Sequence, residues 1–324
     1  MMRRLSLVLL ATLLCAWSGQ AAPLTARIRD TTYVRVTEWA KWQGLQWRWL
    51  KRDEAFVLTN KAARLQFTAA SREASFNGVQ LWLLYPLATL DGEIYISQLD
   101  VDTTFRPLLA APKYDPGKKV RVICLDAGHG GKDPGNQGYG RREKDLTLKL
   151  AADLRDQLRK MGFKVVFSRT SDRYIELSDR PALARKQGAD LFVSLHFNGT
   201  GGDRSAAQGS EVYAMTPAGA ASTNARGEGA GARAYAGNRN DARNLLLAYQ
   251  VQKSLLKTLG SEDRGVRRAR FEVLREATMP AVLIEAGFLS HPVEGKKIFT
   301  LAYRKKMAQA IAEGIQSYKR VVER

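Results

Sequence analysis

The chain has 324 residues, room for one large domain or two modest ones, and its 45% hydrophobic and 26% charged residues are the ordinary mix of a folded globular protein. Its 51 Lys and Arg against 32 Asp and Glu give a net charge of +19. That field favours a polyanion without choosing among nucleic acid, anionic lipid and acidic wall polymers. No nucleic-acid module stands out, and the basic residues are scattered, with a local concentration only at Arg264, Arg267, Arg268 and Arg270.

The N-terminus points to a compartment. Arg3 and Arg4 precede an apolar run over residues 5–17, and Gly19-Gln20-Ala21 offers small residues where a signal peptidase acts. Residues 1–21 therefore read as a secretory signal, with cleavage expected after Ala21 and Ala22 as the alternative. The mature chain would be exported, to a periplasm or the cell exterior, with no stable membrane insertion. Signal removal takes Cys15 away and leaves Cys124 alone, so no intramolecular disulfide is expected. Cys124 sits in an apolar run and reads as a buried, inert thiol.

Residues 31–109 hold Trp39, Trp42, Trp47, Trp49 and Trp82 and several short alternating runs, at 55–59, 63–68 and 78–83, that read as strands. Asn60-Lys61 and Phe76-Asn77-Gly78 have turn chemistry between them. Tyr33-Val34 opening a short helix, Trp47-Arg48-Trp49, Phe56-Val57-Leu58, Ala74-Ser75-Phe76-Asn77-Gly78 and Gly92-Glu93-Ile94-Tyr95-Ile96 together make this segment resemble a small α+β domain. That domain is named after the copper amine oxidase N-terminus, and it serves as a stalk or binding module in many exported proteins. The segment has neither His nor Cys, so no copper ligand set is present. Wall attachment, dimerisation and spacing all remain open as its role. Residues 110–119, with two prolines, a glycine and three lysines, read as a linker.

From residue 120 to 324 the pattern changes to alternating strands and helices. Strands are expected at 120–125, 164–167, 190–195 and 281–284. Leu146, Leu150, Leu154 and Leu158 mark an amphipathic helix that Gly162 can end. Ser178-Asp179-Arg180-Pro181 starts another, residues 245–259 form a third, and Leu301, Met307, Ile311, Ile315 and Tyr318 mark the last. This alternation predicts an α/β fold, a mainly parallel sheet with helices on both faces. Ligands of such sheets bind beyond the C-terminal ends of the strands.

Polar groups collect there. His129 follows the first of these strands in Asp126-Ala127-Gly128-His129-Gly130-Gly131, and Glu143 opens the following helix. His196 ends the third strand, and Glu285 ends the late one. Two imidazoles and a carboxylate suffice to hold a catalytic zinc with a position left open, and a further carboxylate can carry a proton. Each piece also has a plain structural reading. The glycines can be a tight turn, His196 a core histidine, Glu143 a helix-dipole partner and Glu285 an edge carboxylate. Two of the three histidines terminating parallel strands is what favours the site; His291, in Ser290-His291-Pro292, reads as a surface residue.

The run Leu125-Asp126-Ala127-Gly128-His129-Gly130-Gly131-Lys132-Asp133-Pro134-Gly135, followed by Glu143-Lys144-Asp145, resembles the zinc-dependent N-acetylmuramoyl-L-alanine amidases of the third type. Ser168-Arg169-Thr170, Ser194-Leu195-His196-Phe197-Asn198, Gly209-Ser210-Glu211-Val212-Tyr213 and the run from Pro280 to Ser290 are similar to the same family, in its order. The resemblance implies that His129, Glu143 and His196 hold Zn2+, that Glu285 is the catalytic carboxylate, and that Asn198 lines the cleft. The implied substrate is peptidoglycan, cut between the lactyl group of N-acetylmuramic acid and L-alanine. Some relatives carry, at the position of residues 216–243, an inhibitory helix displaced by a protein activator. Here the stretch is rich in glycine, which disfavours helix by about 1 kcal/mol per residue, so a mobile loop is expected. A zinc peptidase or deacetylase of the same wall, an inactive wall-binding protein and a basic polyanion binder are the rival readings.

Overall fold

The computed structural model describes residues 24–203, 205, 207–224 and 229–324; the signal expected at 1–21 lies outside the described residues. The first segment holds β1 (Thr25–Ile28), β2 (Thr31–Arg35), α1 (Val36–Trp42), β3 (Gln46–Lys51), β4 (Ala55–Thr59), β5 (Arg64–Thr68), β6 (Glu73–Phe76), β7 (Val79–Trp82), β8 (Ala88–Leu90) and β9 (Glu93–Ser97). A helical run follows, α2 (Gln98–Asp100) and α3 (Arg106–Leu109) flanking a π-helical turn at Val101–Phe105. Tyr33 and Val34 thus belong to a strand and only precede the helix, and both are buried. Asp100, fully buried, is the hub here: it accepts from the backbone N–H of Leu84 and Tyr85 and from Ser97 Oγ and Thr104 Oγ1.

The second segment runs β10 (Val122–Ala127), β11 (Gln137–Gly138), β12 (Arg141–Arg142), α4 (Glu143–Lys160), β13 (Lys164–Phe167), α5 (Asp179–Lys186), β14 (Leu191–Asn198) and β15 (Ser210–Met215). After a 3-10 turn at Ala236–Asn240 come α6 (Asp241–Leu259), β16 (Asp263–Ala269), α7 (Glu272–Arg275), β17 (Ala281–Phe288), α8 (Glu294–Ile298) and α9 (Leu301–Val322). The leucine row of α4 is buried as its period requires. β10 pairs in parallel with β13 and β14, and β14 with β17. β15 then reverses, antiparallel to β17. The fold is the expected α/β sheet.

The sheet does not stop at the second segment. β16, parallel to β15, pairs on its other side with β7 through Val266 and Leu81, and β7-β6-β5-β4-β3 continues as an antiparallel meander. Eleven strands therefore form one sheet among the described residues. The apolar core is equally continuous: Trp39, Phe56, Phe67 and Phe105 share a cluster with α4, α6 and α9. A second cluster, with Cys124, Phe192, Met215 and Leu274, fills the other face beneath α5 and α7. Burial pushes the Cys124 thiol far up, which keeps it unreactive in the fold.

β16 carries Arg264, Arg267 and Arg268, and Arg268 points inward. Arg268 is fully buried and donates to Met215 O and, from Nη2, to Thr103 O of the first segment at 2.7 Å. Asp263 accepts from Gln80 N at 2.7 Å with one oxygen and from Gln252 Nε2 and Gly265 N with the other. Arg268 is thus spent on internal carbonyls.

A shared sheet and core predict one unfolding transition. The tryptophans at 39, 42, 47, 49 and 82 report the first segment, while α4, α6 and α9 dominate far-UV dichroism. Denaturation curves followed by fluorescence and by dichroism should coincide; two separated midpoints would show independent units. Asp263→Ala, which strands buried donors, should lower stability by about 1–3 kcal/mol in the same curves.

Candidate active site

Three side chains from three elements meet at the C-terminal edge of the sheet. His129 Nε2 and Glu143 Oε2 are 3.0 Å apart, His196 Nδ1 and Glu143 Oε1 3.0 Å, and His196 Nδ1 and His129 Nε2 3.1 Å. Two ligands of a tetrahedral zinc stand about 3.3 Å apart, close to the separation of each of these pairs, with the two imidazoles facing different oxygens of Glu143. Two imidazole nitrogens and a carboxylate brought this close also match zinc's preferred donors.

The backbone leaves room for this convergence. A Cβ on Gly128 would lie 2.3 Å from His196 Cε1, so only glycine lets that ring lie against the turn. A Cβ on Gly135 would sit 2.6 Å from His129 Cδ2 and 2.7 Å from Glu143 Oε2, filling the cradle between two ligands. His129 itself is held at φ +61°, a conformation that costs a non-glycine residue about 1 kcal/mol or more. The surroundings impose it. Arg169 donates to the carbonyls of Ala127 and Gly128, and Arg180 to those of Ala127 and His129. Both guanidiniums are buried. Beneath them the buried Asp126 accepts from Ser168 Oγ, Ser194 Oγ and Arg180 Nη1.

A further shell orients the donors. Asp133 Oδ2 lies 2.7 Å from His129 Nδ1, which makes Nδ1 the protonated nitrogen and turns the Nε2 lone pair inward. Glu143 is fully buried and accepts from Asn136 N and Phe197 N, one on each oxygen. Burial opposes its charge, yet the two imidazoles against its oxygens hold it far below the usual carboxylate range. For His129 burial favours the neutral ring, but Glu143 and Asp133 outweigh it and raise its pKa.

Glu285 stands beside the triad. In the sheet it is the register partner of His196 on one side and of Glu211 on the other, so the three project from one face. Its Oε2 is buried and has no hydrogen-bond partner among the described residues. Burial first, then the nearby Glu143 and Glu211 carboxylates, raise its pKa well above the ordinary value. Asn198 donates from Nδ2 to Glu211 Oε1 at 2.8 Å. The structure thus brings all five expected residues together, together with Asp133, Glu211, Arg169 and Arg180. His291 differs from expectation: it is buried, and its Nδ1 accepts from Val293 N and Glu294 N at the start of α8. Of residues 216–243, the described part up to Tyr235 holds no helix, while Ala236–Asn240 form the 3-10 turn and α6 begins at Asp241; the stretch leaves β15 at the end of the sheet opposite Glu285.

Residues 123–317, more than half of the chain, match the N-acetylmuramoyl-L-alanine amidase family. The chain belongs to that family. It is 35% identical over 232 residues to the N-acetylmuramoyl-L-alanine amidase AmiA of Escherichia coli (strain K12), covering 64% of this chain and 79% of the relative. Among solved structures it is similar to an N-acetylmuramoyl-L-alanine amidase from Clostridium difficile 630, with 36% identity and a TM-score of 0.52 over 62% of this chain and 97% of that one. The catalytic domain of CwlV from Bacillus (Paenibacillus) polymyxa var. colistinus gives 33% identity and 0.51 over 62% and 99%. The amidase therefore acts on peptidoglycan, and His129, Glu143 and His196 are its metal-binding triad. No helix among the described residues is long and apolar enough to cross a membrane.

Asp133→Ala should weaken metal binding by about 10–100-fold, through loss of the orienting hydrogen bond, while Glu143→Ala should remove it. Competition against a chromophoric chelator measures both.

Proposed function

We propose that the amidase is an exported zinc enzyme in which Glu285 moves the proton and Asn198 lines the substrate cleft. The observation that carries this reading is the buried carboxyl of Glu285, unpartnered at Oε2 and level with His196 in the sheet. Zinc held by His129, Glu143 and His196 would supply Lewis acidity toward the scissile carbonyl and its attacking water.

The residues of the chain do the rest. Glu285 takes the proton of the attacking water and returns it to the nitrogen of L-alanine as the carbon–nitrogen bond breaks. The products are the lactyl carboxylate of N-acetylmuramic acid and a stem peptide with a free amine. The dry surroundings of Glu285 fit both halves of that cycle, since a carboxyl whose pKa is raised holds a proton more readily than an ordinary carboxylate and can still release it. The signal at residues 1–21 would take the protein to the wall. Residues 31–109 would keep the likeness to the copper amine oxidase N-terminal module, joined through residues 110–119. Peptidoglycan is the partner, nucleic acid is not, and an activator would enter only if the isolated protein left the wall uncut.

Mass spectrometry of purified peptidoglycan digested by the mature protein tests the reading. Stem peptides with a free L-alanine amine and peptide-free glycan are expected, and they should be lost on chelation and restored by zinc. Cleavage within the peptide instead would overturn the bond assignment. Glu285→Ala should lower kcat by about 100-fold or more with the metal still bound. The acidic limb of kcat/KM should lie above the ordinary carboxylate range, because the base form is lost as pH falls through the raised pKa of Glu285.

A further inference from the structure

The first segment reaches the cleft through a chain of side-chain contacts. Asn198 gives its Nδ2 hydrogen to Glu211 Oε1, which also accepts from Tyr213 Oη at 2.8 Å. The other carboxylate oxygen faces two arginines of β16, with Arg267 Nε at 2.7 Å and Arg264 Nε at 3.4 Å. A carboxylate can only accept, so the Asn198 amide must turn its nitrogen to Glu211 and present its carbonyl elsewhere. The two arginines are in turn held by Trp82 of β7. Arg267 Cζ lies 4.5 Å above the Trp82 ring, and the indole N–H donates to Arg264 O at 3.0 Å. Gln80 N, two residues before, is bound to Asp263 at the head of the same strand. On the far side Arg264 stacks on Phe288, the last residue of β17.

We propose that Trp82 is a positioning residue of the amidase: it fixes Arg264 and Arg267 on Glu211, and Glu211 sets the orientation in which Asn198 meets the substrate. The first segment is then part of the catalytic framework. The carbonyl end of Asn198 suits the N–H of the scissile amide, or the amine that leaves, and a rotated amide would offer a donor in its place. Without β7, the guanidinium of Arg267 would lose the aromatic face it lies over, and solvent would compete for its N–H groups beside Glu211. The proposal rests on the placement of Asn198 in the cleft given above.

The test uses a soluble disaccharide-peptide carrying the scissile amide, with kcat, KM, metal affinity and Tm measured on the full mature chain. Trp82→Leu keeps an apolar side chain but loses the aromatic face and the indole N–H, and kcat should fall roughly tenfold with KM within about twofold and metal affinity unchanged. Trp82→Phe, which restores the face, should recover most of that loss. Trp42→Ala, exposed on α1 and away from the arginines, should have wild-type kcat. Asn198→Ala should lower kcat at least as far, and Trp82→Leu should add little to it in the double variant. If Trp82→Leu does not fold, Arg267→Lys carries the same expectation, because it keeps a charge beside Glu211 and loses the planar stack. An unchanged kcat in these variants, beside a damaged Asn198→Ala, would overturn the relay, and so would fully multiplicative effects. An unchanged Asn198→Ala would instead remove Asn198 from the cleft reading, and the proposal with it.

Discussion

The buried carboxylate of Glu143, wedged between two imidazoles, is the constraint on which the amidase site is built. An ion of that kind cannot be taken out of water without compensation. Here it comes from His129 and His196 on the inner side and from the backbone donors of Asn136 and Phe197 on the outer. Those partners come from the turn after β10, the loop before α4 and the end of β14. Holding one carboxylate therefore fixes three parts of the chain relative to one another.

The cost of that arrangement appears as strain and as buried charge around the β10 turn. His129 takes a left-handed backbone, and Gly128 and Gly135 stand where any side chain would collide with a ligand. Arg169 and Arg180 bind the carbonyls on either side, and Asp126 supports Arg180 from below. Lys144 adds a tie from α4 to Gly131 O and Asp172. Each of these groups is paired with a fixed partner, so the turn cannot relax without exposing an unsatisfied ion. Rigid ligands on a rigid turn let Glu285 differ from Glu143 in environment, though both are buried carboxyls. Glu143 is stabilised as an anion, while Glu285 faces desolvation and two like charges.

Much of this was legible in the sequence, for identifiable reasons. His129 follows a strand whose apolar run is unambiguous, His196 and Glu285 lie toward the ends of two more, and the leucine row of α4 fixes where Glu143 starts a helix. β16 escaped because Asp263-Arg264-Gly265-Val266-Arg267-Arg268-Ala269 has no apolar alternation. Its arginines are held by partners on β15 and β7 that are distant in sequence. The same nonlocality hid Glu211, whose role depends on Asn198 and Arg267 together. His291 looked like a turn residue because nothing local shows that its ring nitrogen serves the two N–H groups that open α8. Residues 110–119 hold no helix or strand, but their composition says nothing of the sheet that joins the flanking segments through β7 and β16.

That junction has a consequence for how the molecule is assembled. The meander of β3 to β7 is made early, yet its inner edge finds a partner only in β16, and Gln80 and Asp263 are 183 positions apart. A chain emerging from its N-terminus must keep that edge open until nearly all of its length is available. Such late, long-range pairing is slow, and an open strand edge is a template for pairing with a neighbouring molecule. The seam between β7 and β16 is thus the place where folding of the amidase competes most directly with aggregation.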